Sequence, residues 1–502
     1  MHHGQLITYN IMKKLIMKTK YIWLLAVLLG FTACNSDDDS TSTEEVILPP
    51  LTAGEVDFSN YVAVGASFTA GFSDGALFIA TQNNSFPNIL SMQFAMLGDG
   101  SFSQPLMNDN IGGLLFNGVQ MPDGSFGPRL YFNGSGPAVL PATPTTEAYN
   151  VLGGTFNNVG VPGAKSFHLG IEGYGFANPY FGRMASNPMA SMIGDAVSQN
   201  PTFFTLSEIG GNDVLSYATS GGTGVDQTGN YNPATYGNND ITDPVVFGVS
   251  FNASVDALIA NGAKGVVTNV PYIASLPHFT TVPYNPIPLN AGTAAQLNAG
   301  YAQYNGGLTL ALSYNLIDAD EFAYRSIEFE ASENNSMVLI DEDLTDLSAL
   351  GIPSYRQSTS LDLFVLPLAS LIPQGYGTQI PLADKWALTP EEQQNITIAT
   401  DAYNATIEAV ANANGLALVD FKGILIQAST VGVTSGDFIL TTDLVTGGLV
   451  SLDGIHLTSR GYAVMANEMM SAIDATYGSN FVASGNLVDC GDYPTNYSPT
   501  LQ

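Results

Sequence analysis

Four short apolar runs, at 61–65, 202–209, 264–270 and 416–420, set the tightest limit on how this 502-residue chain folds. Each is too short for a helix, is rich in β-branched or aromatic residues and is closed by turn formers, the pattern of a buried strand. The last three each follow a stretch of helical spacing, at 188–199, 249–261 and 391–414, and another such stretch occupies 459–477. In the first, Met189, Met192, Ile193 and Val197 recur at the three-to-four residue interval of a single buried face. Strands that alternate with helices pair in parallel, so a parallel sheet covered on both faces is expected. The stretches 98–154 and 220–243 are dense in Gly, Asn, Ser, Thr and Pro and read as long loops or small insertions. The region 280–390 is mixed, and a subdomain or lid is expected there.

The amino end is a targeting segment and is set aside before the fold is considered. Lys13, Lys14, Lys18 and Lys20 precede the apolar run Ile22-Trp23-Leu24-Leu25-Ala26-Val27-Leu28-Leu29 and then Phe31-Thr32-Ala33-Cys34. The run is well short of the roughly 20 residues that span a bilayer. Small residues before a cysteine resemble a bacterial lipobox, in which Cys34 is lipidated and the chain is cut ahead of it; the alternative is an ordinary signal peptide cut near Ala33. Asn35-Ser36-Asp37-Asp38-Asp39-Ser40 follows, with Ser, Thr and Glu up to Pro49-Pro50. Such an acidic, weakly hydrophobic segment buries too little surface to fold and reads as a tether. Acidic residues directly after the cysteine also resemble the surface-export signal of Bacteroidetes lipoproteins.

Residues 1–33 hold four of the 13 basic side chains and none of the 44 acidic ones. The remainder is therefore strongly anionic, which disfavours nucleic acid as a partner. Of two cysteines, lipidation of Cys34 leaves Cys490 without a partner, so the fold is not held by disulfides.

A serine hydroxyl is a weak nucleophile until a base takes its proton, a carboxylate orients that base and donors await the oxyanion. Three histidines follow residue 33: His168, His278 and His456. His168 and His278 have no carboxylate within a few residues and read as packed or surface groups. His456 lies in Leu452-Asp453-Gly454-Ile455-His456-Leu457-Thr458, ahead of a helix that Thr458 or Ser459 caps. Asp453 is close enough to bind one ring nitrogen and leave the other as base, although Asp-x-x-His alone equally suits a surface turn. The strand at 61–64 runs into Gly65-Ala66-Ser67-Phe68-Thr69-Ala70-Gly71, placing a serine at a strand end, where parallel sheets bind ligands. Two more glycine-rich runs follow, Asn158-Val159-Gly160-Val161-Pro162-Gly163-Ala164-Lys165-Ser166 and Leu206-Ser207-Glu208-Ile209-Gly210-Gly211-Asn212-Asp213. Each by itself also suits ordinary turns.

These four blocks, in this order, resemble the SGNH hydrolase superfamily, also called GDSL esterases and lipases. The likeness implies a flavodoxin-like three-layer αβα sandwich with a central parallel sheet, carrying long insertions. With the amino-terminal reading above, the chain is expected to divide into a lipoprotein signal peptide at 1–33, an acidic tether at 34–54, a hydrolase domain at 55–480 and a tail at 481–502. Insertions fall at about 98–154, 220–243 and 280–390. The likeness implies Ser67 as nucleophile, His456 as general base and then acid, and Asp453 as the group fixing the tautomer. The oxyanion donors it implies are the backbone N–H groups of Ser67 and Gly163 and the side-chain amide of Asn212. The family usually reads Gly-Asp-Ser where this chain has Ala66, so a carboxylate that steadies the serine loop is missing.

No cofactor is expected. Asp341, Glu342, Asp343 and Asp346 form the densest acidic group in the body, but without the glycine and distal glutamate of an EF-hand loop they read as solvated, and no metal is expected. The expected reaction is hydrolysis of an acyl ester, with lipid and acylated glycan both open as substrates. A binding or adhesion lipoprotein on a disabled scaffold is the alternative, and the expected location is the outer membrane, with surface exposure left open, reached through lipidated Cys34.

Overall fold

Side chains alternate along five parallel strands into two separate cores, and this alternation sets the layers. The computed structural model describes residues 48–98 and 100–502; the leader, Cys34 and the acidic segment up to residue 47 lie outside the described residues. The strands are β1 (Tyr61–Gly65), β2 (Asn158–Gly160), β3 (Phe203–Ser207), β4 (Lys264–Thr268) and β5 (Ala417–Val419). They pair in the order β2-β1-β3-β4-β5, every neighbour parallel. Four of these are the apolar runs read from the sequence. The fifth, β2, is three residues long, too short to show a period.

The helices that carry the packing are α1 (Phe86–Phe94), α2 (Met192–Val197), α3 (Gly211–Thr219), α4 (Pro244–Ile259), α5 (Ala291–Ser313), α6 (Pro390–Asn414), α7 (Phe421–Ala428) and α8 (Ser459–Tyr477). Val62, Val64, Phe204, Leu206 and Val267 point to one face, where Met192 of α2, Phe251 of α4 and Tyr403 of α6 cover them. Tyr61, Ala63, Phe203, Val266 and Val419 point to the other, under Ile89 of α1 and Met469 of α8. The result is a mixed α/β fold in three layers, as the alternation of strands and helices predicts.

Helix starts follow local chemistry. Thr389 and Glu392 close a capping box around Pro390 at the head of α6. Asp243 caps α4, which begins earlier than its apolar spacing indicates. Ser191 accepts from Gly194 and starts α2 four residues later than expected, and Thr458 caps α8.

The insertions are folded rather than loose. In 280–390, α5 buries Ala294, Leu297, Tyr301, Tyr304, Leu308 and Ala311 against Ile327, Phe329 and Val338. A second small core gathers Ile287, Leu339, Phe364 and Leu382. Asp341, read from sequence as solvated, instead joins Asp362 in holding the buried Arg356 guanidinium. In 98–154, buried Arg129 donates to the carbonyls of Ser498 at 2.7 Å and Leu501 at 3.0 Å, fastening the end of the chain to the insertion. At the amino end, Thr52 N–H donates to Asn480 Oδ1 at 2.7 Å and Glu55 N–H to the Tyr477 carbonyl at 2.9 Å. The Tyr477 hydroxyl in turn donates to the Gly265 carbonyl at 2.8 Å, beside the start of β4.

Glu342, Asp384 and Glu392 bring carboxylate oxygens within 4.8 Å of one another. Burial, joined by the neighbouring carboxylates, raises Asp384 to about 7 and Glu392 to about 8. An acid raised on folding binds its proton more tightly in the native chain, so its stabilising proton is lost as pH climbs from the unfolded value of 4.5 through about 8. Glu392→Gln keeps an acceptor for the Thr389 N–H and removes the titration. Its melting temperature is expected to gain on the parent's between about pH 5 and about pH 8.5, as read by thermal unfolding across that range.

Candidate active site

β1 delivers its chain into a tight turn because neighbouring backbones press on it. Ser67 is the first residue of the four-residue helix Ser67–Ala70, so its N–H has no acceptor within its own turn. That helix lies directly on β2: a Cβ at Gly160 would stand 2.3 Å from the Ala70 nitrogen. Asn158 ties the two together, its Nδ2 donating to the Thr69 carbonyl at 2.8 Å and its Oδ1 accepting from Gly160 N–H at 2.9 Å.

A second turn leaves β3 beside the first. Glu208 is buried in the left-handed region at φ 49°. Its Oε1 accepts from the N–H groups of Ala66 at 2.6 Å and Thr69 at 3.0 Å, and its Oε2 from the Thr69 hydroxyl at 3.1 Å. Burial raises this carboxyl to about 7 against the pull of those donors. Ala66 has no carboxylate to steady the turn, and Glu208, directly after β3, supplies one from across the sheet. Asn212, in the first turn of α3, donates through Nδ2 to the Ala164 carbonyl at 2.9 Å, which fixes its plane and leaves its second N–H free. Asp213 points elsewhere, taking both the N–H and the hydroxyl of Ser166 at 2.9 and 2.6 Å. Gly163 adopts φ +80° with open space where a Cβ would be.

The third component is the loop before α8. His456 Nε2 lies 2.9 Å from Ser67 Oγ, and its Nδ1 lies 2.8 Å from Asp453 Oδ2. Asp453 also accepts from the N–H groups of Gly75, Ile455 and His456 at 2.8, 2.8 and 2.9 Å and from the Ser451 hydroxyl at 3.1 Å. Burial by itself would raise this carboxyl; the His456 charge and these donors outweigh it and hold Asp453 well below the usual carboxylate range. With Asp453 ionised, Nδ1 carries the proton and Nε2 is free to accept from Ser67. Phe72 lies 4.6 Å and Phe68 5.9 Å from the imidazole, centroid to centroid. The arrangement can move a proton from Ser67 Oγ to His456 while Asp453 keeps its charge.

Several groups escape sequence reading. His278, expected as a bystander, packs on the loop, with Nδ1 3.1 Å from the Asp453 carbonyl and N–H bonded to the Gly454 carbonyl at 3.0 Å. His168 does stand apart, accepting from Lys165 N–H at 3.0 Å. Asp74 accepts from Leu452 N–H at 3.0 Å, keeps one buried oxygen without a partner and is raised to about 7, by burial and by the Asp453 charge. The available signal for Glu208 was a lone carboxylate at the end of an otherwise apolar strand run.

Ser67, His456 and Asn212 open on a cleft continuous with solvent and walled by Phe68, Leu215, Ile273, Leu425, Ile455 and Met465. None of the residues lining it comes from 280–390, the region expected to form a subdomain or lid. Among the described residues, no helix is long and apolar enough to cross a membrane.

The fold and site together define a parallel α/β protein with a Ser-His-Asp hydrogen-bonded chain at a strand-end crevice. No family model matches the sequence, and no curated protein does. Among solved structures, an extracellular lipase from Streptomyces rimosus aligns with 83% of this chain and 99% of its own at 10% identity, with a TM-score of 0.28, a likeness too low to carry an argument.

Gly160→Ala is expected to force the Ser67 helix off β2 and to cost about 2 kcal/mol, within the range for overpacking a filled site. Urea unfolding measures it.

Proposed function

We propose that the protein is a serine esterase of the SGNH/GDSL type, acting on carboxylic esters with an apolar acyl chain through an acyl-enzyme on Ser67. One observation carries the reading: the unbroken hydrogen-bond chain from Ser67 through His456 to Asp453, opening on an apolar cleft. In this reading Ser67 Oγ attacks the acyl carbon as its proton passes to His456 Nε2. The alkoxide-like oxygen meets the N–H groups of Ser67 and Gly163 and the free N–H of Asn212. Collapse breaks the ester C–O bond, and His456 returns the proton to the departing alcohol. Water then repeats the sequence on the acyl-enzyme and restores Ser67.

The cleft favours an acyl chain over an acetylated sugar. Gly461, Val464 and Met465 share one face of α8, an apolar wall of about 6 Å at 1.5 Å per residue, and Glu468 follows one turn further on. Apolar walls of that length suit methylenes, whereas a sugar needs convergent polar groups. The signal peptide, the tether and lipidated Cys34 complete the proposal: an exported protein held at a membrane surface, probed by the mass of its mature amino terminus.

Purified protein is expected to hydrolyse p-nitrophenyl octanoate faster than the acetate. Ser67→Ala should lose all but about a thousandth of that rate or less. Equal turnover by parent and variant would refute the assignment, and no turnover on any ester would favour the binding lipoprotein. Leu425→Trp narrows the cleft, so the preference should swing toward acetate, read as the ratio of kcat/KM for the two esters.

A further inference from the structure

We propose that Glu208 is the positioning residue of the nucleophile: its carboxylate grips the backbone on both sides of Ser67, and the aim of Ser67 Oγ at His456 depends on that grip. The catalytic half of this inference rests on the esterase reading above, and the structural half on geometry alone.

Three observations carry it. The N–H groups that Glu208 Oε1 accepts belong to Ala66 and Thr69, one residue before Ser67 and two after it, so a single oxygen spans the nucleophile. The second oxygen takes the Thr69 hydroxyl, and both are thereby committed to the turn rather than to a proton-transfer role. Nothing local can substitute: Ala66 and Phe68 have no side-chain acceptor, and the Thr69 hydroxyl already donates to Glu208.

The backbone of Glu208 itself is held in place from two sides. It occupies the left-handed region, where a non-glycine residue persists only if its surroundings over-determine it. Its N–H is fixed by the Thr268 hydroxyl at 2.9 Å, on the last residue of β4. A buried carboxylate is costly unless it is satisfied, and here the donors that satisfy it are the turn that carries Ser67. The position of the nucleophile is therefore referred to β3 and β4 as well as to its own strand. Ser67 N–H is left out of the grip and stays free for a reacting oxygen.

The test compares Glu208→Gln and Glu208→Ala in the mature chain, by kinetics on p-nitrophenyl octanoate and by amide hydrogen exchange. Gln keeps an oxygen for Ala66 and Thr69, and the Thr69 hydroxyl can turn to accept from its amide, so kcat should stay within about fivefold of the parent. Ala releases the turn: kcat should fall about a hundredfold, as for a small misplacement of a reacting group, with KM within about twofold. Exchange at the Ala66 and Thr69 amides should quicken while β3 and α8 keep their protection. A folded Glu208→Ala protein with parental kcat overturns the proposal, as does protection lost evenly across the sheet. If the Ala variant does not fold, Gln decides: a hundredfold loss there would make the charge, not the grip, the essential property and overturn it. A parent inert on every ester would sink the esterase reading instead, and the exchange comparison would still judge the grip, with unchanged Ala66 and Thr69 amides overturning it.

Discussion

The parallel pairing of β1 with β3, with Gly65 opposite Ser207, is the constraint from which the site follows. Strand order reverses at this pair, β2 lying outside β1 and β4 beyond β3. Crossover helices leave such a junction in opposite directions and open a crevice at the carboxyl ends of the strands. Two turns enter that crevice, one carrying Ser67 and the other Glu208 and Asn212. Their closeness is a matter of atoms: a Cβ on Gly65 would stand 2.1 Å from Thr69 Oγ1 and 2.8 Å from the Ser207 carbonyl. Only there can a carboxylate from one strand end reach the backbone of the next.

Three buried carboxylates around this junction differ because their surroundings differ. Asp453 gathers donors and a histidine and stays ionised, whereas Asp74 and Glu208, in drier settings, are each raised to about 7. Asp74 and Asp453 sit close enough to repel, and such a pair divides its roles: the one with more donors keeps the charge. The imidazole therefore faces a single well-defined anion.

Much of this was readable in advance where periodicity or spacing is local. Four of five strands stand out as apolar runs, and the three-position spacing of Asp453 and His456 permits the hydrogen bond that forms. Asn212 and Ser67 do share a cleft. What was hidden depends on distance in sequence. Glu208 binds residues about 140 positions earlier, and no local pattern records such a partner. β2 is too short to have a period. In α5 the buried positions 294, 297, 301, 304, 308 and 311 are regularly spaced, but alanines and glycines dilute the hydrophobic signal. Arg356 draws Asp341, one of four acidic residues that look solvated, into an internal ion cluster with Asp362, because a buried guanidinium needs carboxylates around it, while Glu342, Asp343 and Asp346 are exposed as expected.

The fastening of residues 52–55 to the far end of α8 has a directional consequence. α8 begins beside His456 and ends at Tyr477, next to the amino ends of the strands, so the chain enters this body at the pole opposite the crevice. A pull applied at residue 52 would therefore act from behind the crevice. The mouth of the cleft thus opens at the end of the sheet away from residues 52–55.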